Sequence, residues 1–410
     1  MDQEIERLSA AFRLVVVPSR LGEMVDTRNH PSLNVDWTLA EAYQSVPKIG
    51  NFLIRALISY LLSSRKSGGG RHMIRRFWFL IQNFRSAVVF CVAQEWTKES
   101  LKQSLQIDLF YTWWFTTESL AIADVAKNFK IPTITRAHGI DIYEKMYPDF
   151  SYVFRDEFID RLEAILPDSE SGTRYLKEQF PAIAHRVRTQ YLGIACSATP
   201  KPRVAISNSP LRIVSCSNHH PVKRIELLLS VARELRRRGF AYSWTHIGTG
   251  GYSPLELVNR ILQFRLDLQT FRFIEHQGRA WLLDFYAESA FDLFVNLSST
   301  EGLPVAVMEA VASGLPILGT NVGGLPEIAL EEVNGFLVEA SEHEFGIADK
   351  VMEIAQDRHL LQSMGLASRG VFETRFEADN NYDQFAQLLG DLLDQASGKK
   401  NLPPTISKSV

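Results

Sequence analysis

The chain reads as an α/β protein of two domains, each built on a parallel sheet. Short β-rich apolar runs alternate with amphipathic segments throughout, the pattern of strands that cross over through helices. A length of 410 residues exceeds what one hydrophobic core usually supports. Near the midpoint, Cys196-Ser-Ala-Thr-Pro-Lys-Pro202 is rich in chain breakers and has no apolar period. Residues 196–210 therefore read as a linker between domains 1–195 and 211–375.

In the first domain the strand candidates are Arg13–Val17, Ala87–Val92, Ile107–Tyr111, Pro132–Thr135, Ala164–Leu166 and Arg188–Leu192. In the second they are Leu211–Ser215, Tyr242–Ile247, Phe271–Ile274, Phe291–Asn296, Pro316–Leu318 and Gly335–Val338. Tyr382, Phe385, Leu388, Leu389 and Leu392 keep a helical period and predict a closing helix within 376–396. Residues 397–410 are polar and contain proline, the composition of a flexible tail.

With 46% apolar and 22% charged residues, the composition is that of a soluble globular protein. A net charge of −3 argues against a general nucleic-acid binder. Cys91, Cys196 and Cys216 are widely spaced and form no CxxC pair, which points to a reducing compartment. The opening Met-Asp-Gln-Glu-Ile-Glu is too polar for a signal peptide, and no apolar run is long enough to span a bilayer. A cytoplasmic location is expected.

The chemistry concentrates in Glu301-Gly-Leu-Pro-Val-Ala-Val-Met-Glu309, followed by Gly314-Leu-Pro316. Asp292-Leu-Phe-Val-Asn296 before it reads as a buried strand. Pro304 suits the first turn of a helix, and Gly314 with Pro316 marks its end. The free amides around Leu303 to Ala306 then lie at the strand's carboxyl end, where anions are favoured. A diphosphate there would have Glu301 on one side and Glu309 further along the helix. Carboxylates accept hydrogen bonds from sugar hydroxyls, so the arrangement suits a nucleotide carrying a second sugar. An ordinary surface helix with two solvated glutamates is the alternative that spacing leaves open.

After the strand Leu211–Ser215, Asn218-His-His-Pro-Val-Lys223-Arg224 opens another helix, so the Lys223 charge and the helix dipole act together. Arg236-Arg-Arg238 sits before Gly239 in the last turn of that helix, where dipole complementarity accounts for it. His219 and His220 have no cysteine or carboxylate at metal-binding spacing. Gly248-Thr-Gly250-Gly251 is equally well a phosphate approach or a turn. In the first domain, His138-Gly139-Ile-Asp141 follows the strand Pro132–Thr135, where parallel sheets bind ligands.

From Glu301 to Val338 the chain resembles the retaining glycosyltransferases of GT-B family 4. The shared elements are E-x7-E, then Ala312-Ser-Gly314-Leu-Pro316, Thr320-Asn-Val-Gly323-Gly324-Leu-Pro-Glu327 and Asn334-Gly335-Phe-Leu-Val338. The resemblance extends, more thinly, over nearly the whole chain. It implies the GT-B fold: two facing Rossmann-like domains with an interdomain cleft, and a C-terminal helix that crosses back to the first domain. It implies transfer of a hexosyl unit from a nucleoside-diphosphate sugar to a glycan or lipid-linked acceptor.

Residue by residue, the resemblance implies that Glu309 binds the ribose hydroxyls. Glu301, with the Gly302, Leu303 and Pro304 backbone, holds the transferred sugar. Lys223 stabilises the departing diphosphate, and His138 lies near the anomeric carbon. The family's phosphate-clamping Arg is replaced here by Asn218, which carries no charge, so Arg224 would share that role. Gln277-Gly278-Arg279-Ala280 would lie against the nucleobase. Ser169-Glu170 looks like a family turn, whereas Tyr191-Leu-Gly193-Ile lacks the usual Asn and Asp. Pro18-Ser-Arg-Leu-Gly22 lacks the usual glycine-rich loop. No Asp-x-Asp motif occurs, so no cofactor and no essential metal is expected.

Residues 51–85 carry seven Lys or Arg and no acid, interleaved with apolar residues and broken by Ser67-Gly-Gly-Gly70. Such a segment suits an anionic membrane surface, though two amphipathic domain helices with basic faces would look the same. A peripheral place on the inner face of the cell membrane, and a polyprenyl-diphosphate-linked acceptor for surface polysaccharide synthesis, are then expected. A sugar-nucleotide isomerase of the same fold and a non-catalytic scaffold are the competing readings; E-x7-E weighs against the first, and Asn218 motivates the second.

Overall fold

The computed structural model describes residues 2–12, 15–16, 34–35, 39, 84–103, 107–144, 154–196, 209–248, 252–275 and 278–397. Residues 17–33, 51–83, 197–208 and 398–410 lie outside the described residues. The chain divides into two compact units. The first comprises Met1–Pro167, Thr173–Gln190 and Tyr382–Val410, and the second Asp168–Gly172 and Tyr191–Asn381.

The first unit contains α1 (Asp2–Ala11), a parallel pair β1 (Val15–Val16) and β2 (Asn34–Val35), and α2 (Phe84–Lys102). Then come β3 (Phe110–Thr112), α3 (Thr117–Asn128), β4 (Thr133–Ala137) and β5 (Ala164–Pro167). Strands β3, β4 and β5 form a parallel sheet in that order. Every residue of β4 is buried, as a central strand covered on both faces should be.

Two strand expectations fail in this unit. Ala87–Val92 lies inside α2 rather than in a strand. A short apolar run cannot be told from a buried helix segment by period alone. The charged residues beyond it decide the matter: Lys98 pairs with Glu95, and Lys102 with Glu99, each three residues apart on a helical face. Phe90, Cys91 and Ala93 then pack in one core cluster with Leu120, Ala121 and Ala123 of α3. Arg188–Leu192 also forms no strand. Arg188 and Gln190 donate to Ile165 and Pro167 of β5, but the ladder is a single bridge at Val187 before Tyr191 passes to the second unit.

The second unit continues from α4 (Glu170–Gln179), whose first residues it includes. Its further elements are β6 (Leu211–Cys216), α5 (Ile225–Arg237), β7 (Tyr242–Ile247), α6 (Pro254–Gln263), β8 (Phe271–Ile274) and α7 (Arg279–Glu288). They go on through β9 (Leu293–Asn296), α8 (Val305–Ala312), β10 (Ile317–Thr320), β11 (Gly335–Val338), α9 (Glu344–Gln356) and α10 (Arg358–Arg375). The parallel sheet runs β11-β10-β9-β6-β7-β8. Strand order reverses at β6 and β9, so the loops after these two strands meet at the switch point where such sheets bind ligands.

Helix α5 shows why the local sequence folds as it does. Ile225, Leu228, Leu229, Ala232 and Leu235 recur at helical spacing and enter the sheet's core cluster. Gly239, at φ 69°, ends the helix in the left-handed region. The basic run is consumed locally: Arg237 and Arg238 both pair with Glu234. In the sheet, Trp244 donates to Ser215 Oγ, which lies 2.8 Å from Nδ1 of the fully buried His246. Burial pushes its pKa down to about 3.

The closing helix α11 (Ala378–Ser397) belongs to the first unit from Tyr382 onward. Phe385, Leu389 and Leu392 pack with Leu8 of α1, Ile134 of β4 and Ala164 and Leu166 of β5. At the centre of this cluster Arg136 is fully buried. It pairs with Glu4 at 2.9 Å, donates to Tyr111 and to the Gln190 carbonyl, and lies over the Phe385 ring.

Candidate functional site

The loops after β6 and β9 are tied together by Arg224. This residue adopts φ 49°, ψ 50°, turning the chain from the 3-10 turn Pro221–Lys223 into α5. Its guanidinium nitrogens donate to the carbonyls of Leu297, Ser298 and Ala340. The fork is thus spent on the scaffold, so its geometry favours holding the two loops over clamping a phosphate. Ser299 N donates to the Val222 carbonyl at 2.7 Å and closes the same junction.

That junction delivers Lys223 to Glu301. The ammonium sits 2.7 and 2.8 Å from the two carboxylate oxygens, and Asn296 Nδ2 donates to Oε1 at 3.3 Å. Glu301 is itself fixed from behind. Gly323, at φ 53°, passes so close that a Cβ there would fall 1.8 Å from the Glu301 carbonyl oxygen. Gly324 N donates to the Gly302 carbonyl at 2.8 Å, and a Cβ on it would meet that same oxygen at 2.4 Å. The double glycine therefore exists to let one backbone lie directly on the other.

Helix α8 begins one residue later than expected. Pro304, at φ −72° and ψ 106°, is its N-cap rather than its first turn, and the helix proper starts at Val305. Proline's fixed φ is compatible with either place, and only ψ distinguishes them. Gly302 and Leu303 lead into this start, whose first N–H groups have no intrahelical acceptor. Glu309 lies on the same helix and is buried, with Arg279 Nε 3.1 Å from its Oε1. Burial pushes the Glu309 carboxyl up from its ordinary value, and the Arg279 guanidinium pulls it part of the way back.

Asn218 is exposed on the loop after β6. Gly248, at φ 107°, backs that loop, since a Cβ on it would meet the Ser217 carbonyl oxygen at 2.2 Å. Residues 249–251 and Gln277 lie outside the described residues. His219 is in an aromatic group with Tyr252, Phe273 and His246, not in a metal-ligand set.

In the first unit, His138 follows β4 with its ring between Trp113 and Trp114, at centroid distances of 5.1 and 4.7 Å. Its Nε2 lies 3.0 Å from the Trp113 carbonyl, which can only accept, so Nε2 carries the proton. Asp141 accepts from the backbone N–H groups of His138 and Phe115 and so holds the loop. Burial pushes the Asp141 carboxyl up to about 6.

The structure therefore joins Lys223 with Glu301, and it places Glu309 on the helix that Gly302, Leu303 and Pro304 introduce. Arg224 braces the same loops, Asn218 stands on the loop before Lys223, and His138 belongs to the other unit. Sequence reasoning passed over Asn296, Trp113 and the Arg279 pairing. The position of Asn296, a polar residue at the carboxyl end of a buried strand, was the one signal that could have found it.

Residues 210–357 match the family model described as Glycosyl transferases group 1. The chain is 28% identical over 205 residues to N-acetyl-alpha-D-glucosaminyl L-malate synthase of Bacillus anthracis, covering 48% of this chain and 50% of the relative. It is 25% identical over 270 residues to the amylovoran biosynthesis glycosyltransferase AmsK of Erwinia amylovora, covering 62% and 61%. The chain thus spans between half and two thirds of the length of these curated relatives. Among solved structures it resembles Anabaena HepE in complex with UDP-glucose, with TM-score 0.57 and 16% identity over 72% of this chain and 82% of that one. A parallel six-stranded sheet with its switch point at β6 and β9, the Lys223–Glu301 junction and these likenesses converge. Residues 210–357 thus match the glycosyl transferases group 1 family model, within a fold of the GT-B type.

Proposed function

We propose that the chain is a retaining glycosyltransferase of the family 4 type. In this reading it moves a hexosyl unit from a nucleoside-diphosphate sugar to a glycan or lipid-linked acceptor in surface polysaccharide synthesis. The observation that carries the proposal is the Lys223–Glu301 pair beside the start of α8. A cation and a helix N-terminus together favour a diphosphate, and a carboxylate at the same point suits sugar hydroxyls. The amylovoran relative supports the substrate class, and the HepE complex supports the donor.

Lys223 and the α8 amides take up the charge that develops on the departing diphosphate, and preorganised charge of this kind is usually what accelerates such a transfer most. Glu301 and the Gly302–Pro304 backbone hold the transferred sugar, and Glu309 holds the ribose. His138 lies against the transferred sugar near its anomeric carbon. No nucleophile is assigned, so the acceptor attacks from the face the diphosphate leaves, and a β-phosphate oxygen takes the acceptor proton. No metal enters this scheme.

The test is incubation of the protein with UDP-, GDP- and ADP-sugars and a polyprenyl-diphosphate-linked saccharide, with and without EDTA. Diphosphate release that depends on acceptor and survives EDTA is expected. Epimerised donor, or binding without turnover, would replace this reading by an isomerase or a scaffold. Complete loss in EDTA, restored by Mn²⁺, would overturn the metal-free scheme.

A further inference from the structure

We infer that Arg279 is a positioning residue for the nucleoside: it keeps the buried Glu309 carboxylate charged and oriented to receive two vicinal hydroxyls. The inference rests on the reading of Glu309 as the ribose ligand. Glu309 is only 6% exposed, and a carboxylate so placed is costly unless a cation or donors face it. Arg279, the first residue of α7, provides the cation, and its side chain stays 42% exposed, so it remains largely hydrated.

The other titratable groups around Glu309 are neutral. The Cys216 thiol, from the end of β6, is pushed up to about 12 by burial, with Glu309 adding to the shift. Burial holds the Tyr286 hydroxyl, from α7, well above its ordinary value. Arg279 is therefore the charged group that faces Glu309. Its contact is through Nε to Oε1, and no described residue donates to Oε2. One carboxylate oxygen is engaged from the outside while the other is left for donors that arrive with a ligand. A ribose diol brings two such donors; a protonated carboxyl would lose an acceptor and present a competing O–H.

Arg279 lowers a Glu309 pKa that burial raises. Removing it lets the carboxyl hold its proton to higher pH, so the acid-side loss of nucleotide binding moves upward in pH. Arg279→Lys keeps the charge and should restore most of the effect.

The experiment is calorimetric titration of the wild type, Arg279→Ala and Arg279→Lys with UDP, GDP and ADP from pH 5.5 to 8. For the nucleotide that the wild type binds, Arg279→Ala should weaken affinity about tenfold at neutral pH, the scale of one lost charge-assisted contact. Its acid limb should shift to higher pH, and Arg279→Lys should recover both. Unchanged affinity overturns the inference, as does a uniform loss at every pH. Tighter binding overturns it too, since Arg279 would then be a plug that the ribose displaces. A wild type that binds none of the three nucleotides sinks the donor reading, and this inference with it.

Discussion

Glu301 and Lys223 neutralise each other at 2.7 Å, so the two residues proposed for sugar and diphosphate are each other's partners in the structure. In the proposed reading, an incoming diphosphate would compete with Glu301 for the ammonium and free the carboxylate for sugar hydroxyls. Binding and positioning are then one event, and the two glutamates of E-x7-E should separate kinetically. Glu309→Ala should raise the donor KM with a smaller effect on kcat, since a ribose contact persists through the reaction. Glu301→Ala should lower kcat while UDP binds as well as before or tighter, because Lys223 is released. Equal losses in both variants, or wild-type kinetics in both, would mean that the roles are misassigned. The motif was plain in the sequence, but the pairing was not: Lys223 and Glu301 lie on loops after different strands, and spacing says nothing about contacts across a sheet. Arg224 shows the converse, a residue with the right charge in the right segment that the backbone uses as a brace.

Elements were legible where the sequence carried one period without competition. Tyr242–Ile247, Phe271–Ile274 and Gly335–Val338 fold over the residues expected of them, as strands of the parallel sheet. Ala87–Val92 also read as a strand and became a helix, because the charged pairs that settle it lie beyond the run. At this scale the double glycine makes a sharp prediction. Gly323→Ala combines a left-handed φ with a collision against the Glu301 carbonyl oxygen, whereas Gly239→Ala meets the same φ penalty in open space. Gly239→Ala should cost about 1 kcal/mol of stability, the usual left-handed strain, and leave turnover intact. Gly323→Ala should cost about 2–4 kcal/mol, strain plus overpacking, and reduce turnover because Glu301 must move. Thermal unfolding of the two variants checks this; equal losses, or full activity in Gly323→Ala, would show that the contact does not position the site.

At the scale of the whole molecule the outstanding expectation is the acid-free segment 51–85, most of which lies outside the described residues. No helix among the described residues is long and apolar enough to cross a membrane. Each basic residue near an anionic surface contributes about 1 kcal/mol, so flotation with anionic liposomes should carry the protein upward at low salt and release it at high salt. Replacing Arg71, Arg75 and Arg76 by Glu should abolish flotation; if it changes nothing, the segment is an ordinary surface and the acceptor need not be lipid-linked. The sheet of the first unit, meanwhile, is covered by Phe385, Leu389 and Leu392, which the ribosome makes only after the second unit. Ile134, Ala164 and Leu166 must wait for them through the synthesis of the entire second unit. The nascent first unit therefore carries an open apolar face while the second unit is made, a natural ligand for chaperones. A fragment stopping before Tyr382 should keep that face and aggregate.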